Sequence, residues 1–238
     1  MLNRRILRIK AFKILYSCAE DRSLSTKDAL ALFESSTEAS RDLYLFVLAS
    51  ISPLTKEAAR RIEAARNKFN PTEEDLNPNT KFASNSLAAI LDEDVDFCKI
   101  LEKRKLSWAP YDAAIRNLFD SISSKGYFQS YMASAETSPE ADAKLFKRIF
   151  EEEFEDNEEF LSIIEDMNIL WTDDLGYVLR YDISAVQEIA RTGMWNCPKI
   201  YPEASDHAFV TKLISTTLAG YDRYFGMVAE NVPQWDRD

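Results

Sequence analysis

Apolar residues recur along this chain at three- and four-residue spacing, and no stretch alternates apolar and polar residues cleanly enough to predict a strand. The pattern predicts an all-α protein, a helical bundle. A first helix begins after Asn3, whose side chain is suited to accept a hydrogen bond from the free amides of a helix start. Its stripe of Leu7, Ala11, Ile14, Leu15 and Cys18 falls on one face. Ser25 is placed to cap a short second helix starting near Thr26. From Glu38 to Lys68 the run Leu43, Phe46, Val47, Ile51, Leu54, Ala58, Ile62 and Ala65 is continuous except for Pro53, which is expected to kink the helix or split it in two.

The stretch "NPTEEDLNPNTKFASN", residues 70–85, is the clearest interruption: two Asn-Pro pairs and alternating charge make an ordered connector or a boundary. Beyond it the pattern predicts helices over residues 84–91, 94–104, 110–124, 138–155, 157–168, 173–191, 205–219 and 221–231. Thr172, ahead of Asp173 and Asp174, is expected to cap one of these, with the two acids favoured by the helix dipole. A second long loop, with Gly193, Pro198 and Pro202, spans residues 192–206. The expected division is residues 1–70, 71–204 and 205–238.

With 238 residues, 46% of them hydrophobic and 12% aromatic, the chain can bury a core without cross-links. Cys18, Cys98 and Cys197 are too far apart for a zinc spacing or a CxxC pair, and they read as reduced thiols in a cytoplasmic protein. No apolar run is long enough to span a bilayer, and the first residues lack the pattern of a signal peptide, so no membrane partner is expected. The formal net charge is −11, yet Arg4, Arg5, Arg8, Lys10 and Lys13 stand together with no acid among the first thirteen residues. Such asymmetry suggests a basic arm on an acidic body.

Candidate catalytic chemistry is sparse. His207, the single histidine, sits beside Asp206 near a helix start, where a solvated or capping role is expected. "DEDVDF", residues 92–97, opens like a calcium loop but has Phe97 where glycine is needed and Lys103 where the bidentate glutamate belongs. "EEEFEDNEE", residues 151–159, reads as a solvated helix end. No glycine-rich phosphate loop occurs. Asp173 and Asp174 diverge on a helix, where consecutive residues point roughly 100° apart, and do not form a dyad. No enzyme activity, metal or cofactor is expected.

On a helix Arg5 and Arg8 are three apart, and Arg4 and Arg8 four apart, so their guanidiniums fan across one side of the first turns. Such forks grip phosphate or stack on unstacked bases, and Tyr16, two turns beyond Arg8, adds a stacking surface. The alternative is that these arginines solvate a helix end or pair with the acidic body.

"RRILRIKAFKILYS" resembles the N-terminal arginine-rich motif of the NusB family of transcription antitermination factors, a cluster of arginines running into an apolar helix that ends in Leu-Tyr. Arg4, Arg5 and Arg8 fall on the cluster, and Leu15 and Tyr16 on its end. "PTEEDLNPNTKF", "KLSW" and "DRSLSTKDAL" are similar to stretches of the longer form found in the Bacteroidetes group, in which a large helical insertion separates the two halves of the bundle. The resemblance implies a noncatalytic factor that binds single-stranded boxA RNA of ribosomal leaders together with the ribosomal protein NusE, within an antitermination complex on RNA polymerase. It implies RNA contacts at Arg4, Arg5, Arg8 and Tyr16, with Lys10 and Lys13 continuing the basic arm, and it puts Tyr16 near the partner surface as well. Ile6 and Ile9 stand where a further arginine and an acid are common, which thins the basic patch. "QWDRD", residues 234–238, is similar to the start of the family's C-terminal helices, and the rest of that half is then absent or supplied elsewhere. Faces such as Phe209, Leu213, Thr217 and Tyr221 are therefore expected to promote self-association. The competing reading is a helical adaptor whose acidic surface, around residues 151–159, docks a basic protein. An enzyme-linked form ahead of a methyltransferase domain ranks last.

Overall fold

The computed structural model describes residues 1–232; the "QWDRD" stretch lies outside the described residues. The described residues form helices and no strand. In chain order they are α1 (Arg4–Glu20), α2 (Thr26–Leu48), α3 (Ile51–Arg66), α4 (Glu73–Leu76), α5 (Ser86–Glu93), α6 (Val95–Arg104), α7 (Asp112–Ser124), α8 (Gly126–Ala133), α9 (Pro139–Glu152), α10 (Glu158–Met167), α11 (Leu175–Thr192), α12 (Ala204–Ala219) and α13 (Tyr221–Asn231). Short 3-10 turns precede α7 and α11. Two compact units result: residues 1–39 with 198–238, and residues 40–197.

In the first unit, the Asn3 side chain accepts the Ile6 amide at 3.1 Å and sets the start of α1. The Leu2 amide donates to the Ile200 carbonyl at 2.8 Å, joining the two ends of the chain. Leu7, Ala11 and Cys18 of α1 are buried, as are Val210 and Ile214 of α12, the helix it packs against. Ser25 caps α2 reciprocally: its hydroxyl accepts the Asp28 amide, while the Asp28 carboxylate accepts the Ser25 amide and hydroxyl. The helices expected near Thr26 and from Glu38 are one, because α2 runs unbroken to Leu48.

Within the second unit, the chain breaks at Ala49 and Ser50, and Pro53 falls in the first turn of α3, where its missing amide hydrogen leaves no helical bond unmade. The expected split is therefore present, four residues ahead of the proline. The Asn-Pro connector belongs to this unit and is not a boundary between units. Lys68 pairs with Asp75 at 2.8 Å, Asn79 donates to the Met132 carbonyl at 2.7 Å, Lys81 donates to the Tyr131 and Ser134 carbonyls, and Phe82 is buried. The units divide at 39/40 and 197/198, whereas the sequence pattern placed its divisions at 70/71 and 204/205.

The core of this unit is aromatic. Phe46 stacks on Trp108 with centroids 4.4 Å apart and planes 8° from parallel, and the Trp108 indole N–H donates to the Phe46 carbonyl at 2.8 Å. Phe160 and Trp171 extend this cluster, and Phe82 gathers Phe119, Phe128 and Phe146 into a second one. Helix α8 was not anticipated, since "GYFQSYMA" mixes aromatic and polar residues without a helical stripe; burial of Phe128 and Tyr131 holds it in place. Thr172 does not cap α11. It lies within the 3-10 turn and donates to the Ile169 carbonyl, while buried Asp174 precedes α11 and accepts the Ser40 hydroxyl at 2.6 Å.

Buried carboxylates are mostly well partnered. Asp142 accepts the Ser86 amide and hydroxyl and the Tyr131 hydroxyl. Glu153 accepts the Ser121 and Tyr127 hydroxyls. Asp182, in the middle of α11, is the exception: it is fully buried, and neither oxygen has a hydrogen-bond partner. Burial drives its carboxyl well above the usual range, toward the neutral form.

Candidate nucleic-acid interface

At 100° per residue, the basic residues of α1 separate into distinct groups rather than one fan. Arg4 and Arg8 are four apart and turn toward α12. The Arg4 Nε donates to Asp206 Oδ1 at 2.6 Å, and the guanidiniums of Arg4 and Arg8 lie 5.7 and 5.6 Å from the centre of the Phe209 ring. The Asp206 hydrogen bond and charge raise the already high pKa of Arg4, so it is a permanent cation spent largely on an internal carboxylate. Arg8 shares the aromatic contact but has no ion pair among the described residues.

Lys10 is a correction to the predicted arm. It is buried, and its ammonium donates to the Ser36 carbonyl at 3.1 Å and the Ser36 hydroxyl at 2.9 Å. Three residues after Leu7 and four before Ile14, it lies on the buried stripe, where no phosphate reaches it.

The outward face of α1 holds Arg5, Ile9, Phe12 and Tyr16 within a roughly 60° arc, with Lys13 beside it and Arg8 on its other flank. Phe12 is 67% exposed, Tyr16 59% and Ile9 43%. Two aromatic rings one turn apart thus stand in solvent between basic side chains. Sequence reasoning singled out Tyr16 but missed Phe12. The signal was available, since Phe12 falls outside the apolar stripe and precedes Tyr16 by one turn.

Other candidate chemistry is absorbed by the fold. His207 pairs with Glu34 at 2.5 Å and packs edge-on to the Tyr201 ring; it does not cap a helix. Asp94 caps α6 by accepting the Phe97 amide, and Asp92 pairs with Lys56. In the acidic run, Glu152 pairs with Arg148, Glu151 with Lys147, and Glu153 is buried. No cluster of three His, Cys, Asp or Glu residues fit to hold a metal occurs among the described residues, and no described helix is long and apolar enough to cross a membrane. The chain matches no protein-family model, no curated protein and no solved structure.

Proposed function

We propose that this protein is a noncatalytic RNA-binding factor of the NusB type, which engages single-stranded, boxA-like RNA through the outward face of α1 and acts with a ribosomal protein partner in transcription antitermination. The observation that carries the reading is the pair of exposed rings, Phe12 and Tyr16, set among Arg5, Arg8 and Lys13. Single-stranded RNA presents both chemistries this face complements. Unstacked bases lie on aromatic faces, and phosphates meet guanidinium and ammonium groups. An apolar face this exposed is unfavourable in water unless something covers it, and the surrounding charge selects an anionic occupant. The adaptor reading draws on the acids near residues 151–159, several of which are already paired within the helix or buried.

The test is fluorescence anisotropy with a labelled single-stranded boxA RNA, with and without ribosomal protein NusE. Each of Phe12→Ala and Tyr16→Ala should weaken binding by about 1–3 kcal/mol, and NusE should tighten it. Wild-type affinity in the folded Phe12→Ala/Tyr16→Ala double variant overturns the proposal.

A further inference from the structure

A cavity of about 440 Å³ opens in the second unit among α3, α5, α6 and the start of α7. That volume lies within the range of small-molecule sites, and an apolar cavity of roughly 150 Å³ is already enough to take up benzene. Its walls include Leu48, Leu91, Phe97, Leu106, Trp108 and Ile115, all buried side chains. Apart from two aromatic rings these walls are aliphatic, and they offer an entering molecule contact without direction.

The polar side chains on the lining decide what that molecule is, because each already has a partner inside the protein. The Trp108 indole N–H donates to the Phe46 carbonyl at 2.8 Å. The Cys98 thiol lies 3.5 Å from the Asp92 carbonyl, and the Ser107 hydroxyl oxygen accepts the Ala109 amide at 3.1 Å. At the mouth, Asp92 pairs with Lys56 at 2.9 Å and accepts the Ser52 hydroxyl at 3.0 Å. Glu57 is buried with both oxygens occupied: Oε1 accepts Arg61 Nε at 2.6 Å and Oε2 accepts Arg60 Nε at 2.7 Å. Burial pushes the Glu57 carboxyl up, but the hydrogen bonds from Arg61 and Arg60 outweigh it and keep the acid ionised. Asp112 pairs with Arg116, and Arg61 reaches on to Asp120. The cations Lys56, Arg60, Arg61 and Arg116 are thus matched one for one by Glu57, Asp92, Asp112 and Asp120. A carboxylate or an ammonium entering here would give up hydration and meet only groups that hold their counter-ions already. An uncharged apolar body gives up little and removes both its own surface and the aliphatic walls from water.

We infer that this cavity binds an uncharged, predominantly aliphatic small molecule, held by burial of its apolar surface and not by a charged head group. The site lies wholly within residues 40–197, and its test does not depend on RNA binding.

Calorimetric titration of the full chain with 1-octanol, below its solubility limit, tests the assignment. One saturable site is expected. 1-Hexanol, two methylenes shorter, should bind roughly fifteen-fold more weakly. Octanoate and octylamine, of the same chain length but charged at pH 7, should each bind weaker than 1-octanol by roughly ten-fold or more. Ala49→Trp, which fills the cavity from its wall, should lose binding while keeping the helical circular dichroism. Cys98 also lines the cavity, whereas Cys197 does not, and both thiols are exposed. 1-Octanol should therefore slow maleimide labelling of Cys98 and leave that of Cys197 unchanged, a readout on the unmutated protein. Absence of saturable 1-octanol binding, equal or tighter binding of octanoate or octylamine, or unprotected Cys98 at saturating 1-octanol would overturn the assignment.

Discussion

The salt dependence of RNA binding distinguishes the arm seen in sequence from the face seen in structure. Binding to single-stranded nucleic acid releases about 0.7 counterion per phosphate contacted, so the slope of log affinity against log salt counts the cations engaged. Five basic residues would give a slope near −3.5, and raising salt from 50 to 200 mM would then weaken binding by more than roughly 100-fold. The structure removes two of the five. Lys10 is buried on Ser36, and Arg4 is neutralised by Asp206 at 2.6 Å. At most Arg5, Arg8 and Lys13 are left on or beside the aromatic face, which limits the slope to about −2 and the loss to about 15- to 20-fold over the same range. Anisotropy titrations at several KCl concentrations measure this directly. Arg5→Ala and Arg8→Ala should each make the slope about 0.7 shallower, whereas Arg4→Ala should leave it unchanged. A slope steeper than about −3, or one insensitive to Arg5 and Arg8, would refute the assignment of phosphate contacts.

Three further outcomes follow from particular side chains. Lys10→Met should lower stability by about 1–3 kcal/mol through the lost bonds to Ser36, seen in thermal circular dichroism, with the RNA salt slope unchanged; a shallower slope would return Lys10 to the interface. Asp182 is buried without partners, so the folded chain keeps a proton there that the unfolded chain releases above about pH 4. Stability then falls as pH rises from there toward the folded-state pKa, and the gap between Asp182→Asn and wild type in urea unfolding should widen as pH is raised from 5 to 7; a constant gap would contradict this. Finally, α13 has no buried residue and exposes Tyr224, Phe225, Met227 and Val228, so sedimentation at rising concentration should show self-association that Phe225→Glu/Val228→Glu reduces, and a monomer at all concentrations would count against it.

The helices were legible where capping and period agreed. Asn3 and Ser25 start α1 and α2 as their side chains dictate, and the last two helices lie where the apolar spacing put them. The bundle's division into units was not legible, because proline-rich composition marks a turn in the chain but not where contacts are sparse: the Asn-Pro connector is fastened by Lys68, Asn79 and Lys81. At the candidate site, charge was read ahead of phase. Lys10 was grouped with the arginines by type, although its position put it on the buried face, and Phe12 was passed over although its position put it in solvent. Arg4 could not be distinguished from Arg5 without Asp206, two hundred residues away in sequence. Self-association was expected from Phe209 and Tyr221, but arginines lie over both rings, and the uncovered apolar side chains lie further along α13, at Tyr224, Phe225, Met227 and Val228.

The first unit is assembled from the two ends of the chain, with residues 40–197 between them. During synthesis, α1 leaves the ribosome long before α12, the helix it packs against, has been translated. Residues 40–197 form a contiguous unit and can collapse first. Closing a loop of that length costs roughly 4–5 kcal/mol in chain entropy, but prior folding of the intervening segment changes that cost by fixing its ends. The surface proposed to hold RNA is therefore completed late in translation, and a nascent chain stalled before residue 204 would carry the basic helix without the aspartate that holds Arg4 or the ring beneath Arg8.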